Sequence, residues 1–195
     1  MGDQTVALHP DVSRALLTED QIRERIRELG AQISRDYAGR NLTLVGILKG
    51  SVIFLSDLMR ELSVNCSVDF MCLSSYSGKE STGVVRVMLD LRESAEGRDL
   101  LVVEDIIDTG LTLGYLMQNL KTRNPKSLEI CAFLDKPDCR KVQVRAKYVG
   151  FQIPNEFVVG YGLDFNEQYR NLPYVGILKP QRLPRPEGPG EPFRA

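Results

Sequence analysis

The segment Leu101-Val102-Val103-Glu104-Asp105-Ile106-Ile107-Asp108-Thr109-Gly110-Leu111-Thr112 carries the densest chemistry in the chain. An apolar run ends in two adjacent carboxylates, a third follows, and small hydroxyl-bearing residues close it. A turn over residues 109–112 offers backbone N–H groups, two threonine hydroxyls and a helix N-terminus, which together make an anion site suited to one phosphate. Glu104 and Asp105, just before it, can accept hydrogen bonds from sugar hydroxyls or hold a hydrated cation. On spacing alone the same residues also suit a plainer arrangement, with Glu104 and Asp105 as strand-end charges and Asp108 as a helix cap. Neither GxxxxGK(S/T) nor GxGxxG is present, so a P-loop nucleotide site and a dinucleotide fold lose their main support.

These residues need a frame. Thr18-Glu19-Asp20-Gln21 reads as a capping box, and Ile22, Ile26, Leu29 and Ile33 then recur at helical spacing until Gly39. An apolar run at 42–48 is followed by Lys49-Gly50-Ser51 and a helical pattern over 52–62, with Phe54, Leu55, Leu58 and Met59 on one side. The order repeats: a strand over 99–105, a turn with Gly110, then a helix through Leu113, Leu116, Met117 and Leu120. Continuous apolar strands followed by helices predict an α/β fold with a mainly parallel central sheet covered on both faces. Residues 68–76 and 84–89 read as strands joined by a polar arm, 77–83, and residues 127–134 as another buried strand. Shorter strands at 149–153, 157–162 and 174–178 suggest a small hood built from these and the N-terminal part, over about 145–179.

The chain has 195 residues and 43% hydrophobic content, enough for one sizeable core, so one domain is expected over 1–179. Residues 180–195 hold five prolines and two glycines and read as a loose tail. Lys plus Arg is 25 against Asp plus Glu at 26, which gives no general electrostatic reason to bind nucleic acid or an anionic membrane. Cys66, Cys72, Cys131 and Cys139 show no CxxC spacing and read as reduced thiols, and residues 1–10 lack the pattern of a secretory signal. A cytoplasmic location is expected.

The 104–112 segment resembles the motif by which type I phosphoribosyltransferases bind phosphoribosyl pyrophosphate (PRPP), most closely in the hypoxanthine-guanine branch. Three further blocks match in the expected order: Leu48-Lys49-Gly50, Ser75-Tyr76, and Phe157-Val158-Val159-Gly160-Tyr161-Gly162-Leu163-Asp164-Phe165-Asn166-Glu167. The resemblance implies a type I phosphoribosyltransferase fold with a hood and a flexible lid arm. It also implies transfer of ribose 5-phosphate from PRPP to a 6-oxopurine base, with magnesium as cofactor and assembly as a homodimer or homotetramer.

Residue roles follow from the same resemblance. Asp108 exchanges a proton near purine N7, and Thr109, Gly110, Leu111 and Thr112 cradle the 5-phosphate. Glu104 and Asp105 grip the ribose hydroxyls beside one magnesium ion, while Asp164 contacts a second. Lys49, Gly50 and Arg170 serve the pyrophosphate, with a cis peptide expected before Lys49. Lys136 donates to purine O6, Phe157 stacks on the base, the Val158 carbonyl accepts from its edge, and Ser75 with Tyr76 begins a mobile lid. A Leu at position 111, where the family sometimes carries Lys, leaves the anion site to N–H groups and hydroxyls. A nucleic-acid-binding regulator on the same fold, or an enzyme for a different base, are the rival readings; the near-neutral charge balance opposes the first.

Overall fold

The computed structural model describes residues 7–75 and 85–182. Its elements are β1 (Val12–Leu17), α1 (Glu19–Asp36), β2 (Leu42–Leu48), α2 (Val52–Arg60), β3 (Cys66–Ser75), β4 (Val85–Leu89), β5 (Asp99–Ile107), α3 (Leu111–Lys121), β6 (Ser127–Asp135), β7 (Tyr148–Gln152), β8 (Val158–Val159) and β9 (Val175–Leu178). Six strands form one sheet in the order β4-β3-β2-β5-β6-β7, parallel throughout except for β4 on β3.

Alternation along the strands explains the layers. Leu42 and Leu44 of β2, Leu101 and Val103 of β5, and Cys131 and Phe133 of β6 share one face with Ile22, Ile26, Leu29 and Ile33 of α1 and Phe54, Leu55 and Leu58 of α2. Their sequence neighbours Val45 and Ile47, Leu100 and Val102, Ile130 and Ala132 point the other way, onto Leu113, Leu116 and Leu120 of α3. Buried on both faces, these strands are apolar over most of their length, which is why they read as nearly continuous runs. Phe133 is fully buried and meets Phe54, Phe151 and Tyr161 at ring-centroid distances of 5.3, 5.8 and 4.8 Å, so it ties α2, β7 and the segment after β8 together.

The chain leaves β2 through α2 to reach β3 on one side, and leaves β5 through α3 to reach β6 on the other. The sheet order therefore reverses between β2 and β5. At such a switch point the two connections diverge to opposite faces, opening a crevice at the carboxyl ends of the strands.

A second, antiparallel sheet, β1-β9-β8, forms the hood. Four expectations need correction. Residues 148–152 do not belong to the hood: β7 extends the main sheet, with Cys131 opposite Tyr148, because buried Tyr148 packs in the main core and donates its hydroxyl to Asp36 of α1 at 2.7 Å. The strand expected over 157–162 is only Val158–Val159, since Gly160, Tyr161 and Gly162 all take positive φ (95, 50 and 98°) and turn the chain. Met59 is 41% exposed, because α2 buries the narrower stripe Phe54, Leu55 and Leu58. Order also continues past Lys179 into a 3-10 turn, Pro180–Arg182, where the Arg182 guanidinium reaches Asp11 at 2.7 Å.

The predicted capping box is present, Thr18 and Gln21 each accepting the other's backbone N–H. Among the described residues no helix is long and apolar enough to cross a membrane.

Candidate active site

The crevice at the β2/β5 switch point is a cleft of about 320 Å³. Its floor is the end of β5. Asp105 faces the loop after β2 so closely that a Cβ on Gly50 would lie 1.6 Å from Asp105 Oδ2, so only glycine fits there. The Leu48–Lys49 peptide is cis. Ser51 closes the turn by donating its hydroxyl to the Ile47 carbonyl at 2.6 Å.

Glu104 and Asp105 are held where water reaches them poorly. Glu104 Oε2 is buried with no hydrogen-bond partner, while Asp105 Oδ1 accepts the Ile106 N–H at 2.9 Å. Burial, reinforced by the neighbouring Asp105 charge, pushes the Glu104 carboxyl well above the usual range. Burial also raises Asp105, to about 6, against opposing help from the Ile106 N–H and from Arg170. An orphaned carboxylate oxygen facing a cleft is a strong acceptor in want of a donor or cation.

Past Asp108 the chain turns into α3. Gly110 is the N-cap of α3, in a left-handed conformation (φ 80°), and makes no side-chain cap. Asp108 is thus no helix cap, and its half-buried carboxylate is left to the cleft. The first intrahelical bond runs from the Gly114 N–H to the Gly110 carbonyl at 2.8 Å, so the N–H groups of the preceding turn face the loop. The segment 136–141 packs against this turn, and burial first, then the nearby Asp108 carboxylate, raises the Cys139 thiol above its usual pKa. The segment is pinned by the Lys136 N–H on the Ile107 carbonyl and the Lys141 N–H on the Thr109 carbonyl, both at 2.9 Å. It is pinned again by an Arg140–Asp135 ion pair.

The opposite wall comes from the turn after β8. Gly162 (φ 98°) sits so near the Gly50 carbonyl that a Cβ would lie 2.1 Å from that oxygen. The Arg170 guanidinium donates to the Gly162 carbonyl at 2.8 Å and pairs with Asp164 at 2.9 Å and Glu167 at 3.4 Å. Lys49 reaches the same Glu167 oxygen at 3.1 Å. Tyr161 anchors this turn to α2 by donating to Asp57 at 2.6 Å.

The cleft therefore gathers Lys49, Gly50, Glu104, Asp105, Asp108, Thr109, Gly110, Thr112, Asp164 and Arg170. Leu111 does not join them: its side chain is 50% exposed and lines a separate groove along the outer side of α3. Lys136 (7% exposed), Phe157 and Val158 are not among the lining residues either. Lys136 reaches the site through its bond to Ile107, whereas Phe157 stacks edge-on against Phe165 at 5.4 Å within the hood. Ser75 ends β3, and Tyr76 lies outside the described residues. The sequence reading missed Glu167 as a site residue; a partner 118 positions away, as Lys49 is from Glu167, leaves no spacing signal.

The phosphoribosyl transferase domain matches residues 13–166, from within β1 through β8 and past Asp164 in the turn that follows it. The chain belongs to the phosphoribosyl transferase family. Within it, the hypoxanthine-guanine phosphoribosyltransferase of Staphylococcus aureus (strain Mu50) is 53% identical over 175 residues, covering 89% of this chain and 98% of that protein. The hypoxanthine phosphoribosyltransferase of Trypanosoma cruzi, solved in complex with the product IMP, superposes with a TM-score of 0.86 at 43% identity, covering 91% and 100% of the two chains. A bifunctional protein TilS/HprT of Listeria monocytogenes serotype 4b (strain F2365) is 51% identical over 176 residues; these cover 90% of this chain, which spans only 27% of that protein. In this phosphoribosyl transferase the cleft brings together the 109–110 turn, the cations Lys49 and Arg170, and the carboxylates Glu104, Asp105, Asp108 and Asp164.

Proposed function

We infer that this chain is a purine salvage enzyme that transfers the 5-phosphoribosyl group of PRPP to N9 of hypoxanthine or guanine, giving IMP or GMP and pyrophosphate. One observation carries the reading: the unpartnered Glu104 and its neighbour Asp105 line one cleft with Thr109, Gly110 and Thr112 and with the cations Lys49 and Arg170, a set suited to a sugar with a phosphate at each end. The names of the relatives above support the choice of base.

Binding begins at the two ends. The N–H groups and hydroxyls of Thr109 to Thr112 take the 5-phosphate, and Lys49 and Arg170 take the pyrophosphate. The ribose 2- and 3-hydroxyls donate to Glu104 and Asp105, whose burial strengthens each bond. As the C1–oxygen bond to pyrophosphate breaks and the C1–N9 bond forms, positive charge builds on the ribose and the base loses its N7 proton, which Asp108 accepts. Lys136, nearly buried at the edge of the loop, donates to the O6 that hypoxanthine and guanine have and adenine lacks. Phe157 and the Val158 carbonyl complete the base subsite, and Ser75 with Tyr76 begins the lid.

Magnesium fits the residues present. The orphaned Glu104 oxygen, Asp105 and, across the cleft, Asp164 are hard oxygen donors. Among the described residues no three His, Cys, Asp or Glu side chains converge as a ready metal group, so substrate oxygens and water would supply most ligands. Held there, magnesium would supply positive charge against the pyrophosphate oxygens. A cytoplasmic homodimer or homotetramer completes the proposal.

The test is an ultraviolet assay with PRPP and magnesium, offering hypoxanthine, guanine, xanthine and adenine separately, with a magnesium-free control. Magnesium-dependent turnover of 6-oxopurines but not adenine is expected. Tight PRPP binding without turnover of any base would overturn the reading in favour of a regulator.

A further inference from the structure

We propose that Glu167 is an internal competitor for the pyrophosphate subsite: its carboxylate pairs with both Lys49 and Arg170 and must swing out for pyrophosphate to bind. The inference rests on the reading of Lys49 and Arg170 as the pyrophosphate cations.

Three observations carry it. First, one oxygen, Glu167 Oε2, pairs with both cations, at 3.1 Å to Lys49 Nζ and 3.4 Å to Arg170. A carboxylate bridging two cations occupies the place and mimics the charge of a bridging anion. Second, the bridge is built to be exchanged. The Glu167 and Lys49 side chains are 64% and 65% exposed, and Arg170 Nε is buried without a partner, so the guanidinium is incompletely satisfied while Glu167 holds it. Exposed pairs of this kind are weak. Third, the backbone aims the side chain and then stays put. Asn166 and Glu167 both take positive φ, at 52 and 61°. Paired bonds between Phe165 and Gln168, and the Glu167 N–H on Asp164 Oδ2 at 2.9 Å, hold the turn. Displacement therefore needs only a side-chain rotation.

The consequence is a gate on the product. Without Glu167, Lys49 would lose its carboxylate partner and Arg170 would keep only Asp164, so the two would hold a leaving pyrophosphate longer; the returning carboxylate offsets their charge and speeds release. PRPP, anchored also through its ribose and 5-phosphate, is affected less than free pyrophosphate.

The experiment compares wild type with Glu167→Gln, which keeps size and removes the charge. Magnesium pyrophosphate binding is titrated calorimetrically, and its inhibition of transfer is measured in parallel. Two weak surface pairs lost imply about three- to tenfold tighter pyrophosphate binding. A kcat reduced by slower release, with the KM for the base unchanged, should accompany it. Unchanged pyrophosphate affinity would overturn the proposal, as would weaker affinity, which would make Glu167 a contributor to binding. If wild type transfers no base, the functional reading fails separately; the calorimetric comparison still decides whether Glu167 competes.

Discussion

Replacing Gly50 with alanine should disable the site while leaving the fold standing. The added Cβ would lie 1.6 Å from Asp105 Oδ2 and 2.5 Å from its Cγ. Relief to ordinary van der Waals separation demands more than about 1 Å of relative movement. Asp105 cannot supply it through the backbone, because the flanking residues Glu104 and Ile106 pair with Ala132 and Leu134 of β6. Rotating the side chain breaks the Oδ1 bond from the Ile106 N–H and turns the carboxylate off the ribose. The alternative is a shift of Lys49 and Gly50, which displaces a pyrophosphate ligand. Misplacement by about 1 Å at a reacting centre costs about 100-fold in rate, whereas overpacking of one methyl costs about 1–3 kcal/mol of stability. Steady-state kinetics with PRPP varied, beside a denaturant titration, separate the two effects. A folded Gly50→Ala protein whose kcat/KM for PRPP stays within about threefold of wild type would refute the argument that this contact positions the site.

Asp108→Asn should retain PRPP binding, measured by calorimetry, yet lose about 100- to 10,000-fold in kcat; unchanged turnover would remove Asp108 from proton transfer. Because burial raises Asp105 to about 6 in the folded state, above its usual 3.8, the folded protein holds that proton longer. The Asp105 contribution to stability is therefore most favourable below about pH 4 and is lost as pH rises through about 6. Thermal melts of ligand-free wild type should accordingly fall relative to Asp105→Asn across that interval, and a constant difference would show that the carboxyl is not raised. Phe133→Ala empties the hub between Phe54, Phe151 and Tyr161 and should cost about 3–5 kcal/mol in a denaturant titration; a loss below about 1 kcal/mol would mean that the core closes over the gap.

What was legible in the sequence was local. The capping box at Thr18 and Gln21, the strand 42–48 and the acid-rich segment after β5 are where their patterns indicated, because caps, alternation and turn chemistry are decided within a few residues. The main-sheet place of β7 was not legible: its five residues carry no signal of which sheet they join, and the choice was made by Tyr148 reaching Asp36 on a helix 112 positions earlier. The site divides the same way. Glu104, Asp105 and Asp108 follow from one segment, but the Gly50–Gly162 approach and the Lys49–Glu167 pair depend on strands that meet only after the sheet forms.

The second wall of the cleft shows why local reading fails there. Of the five non-glycine residues with positive φ among the described ones, Tyr161, Asn166, Glu167 and Tyr169 lie within nine positions of one another. Each such conformation costs about 1–3 kcal/mol and persists only where surroundings impose it. Here they do: Tyr161 is tied to Asp57, Glu167 to Lys49 and Asp164, and Tyr169 to Asp11, whose carboxyl also takes Arg182. Three of the four, Asn166, Glu167 and Tyr169, thus sit between Asp164 and Arg170, two groups that line the cleft with Lys49. A sequence that obeyed local preference through 161–169 would give a smoother chain, with no reason to bring that carboxylate and that guanidinium together.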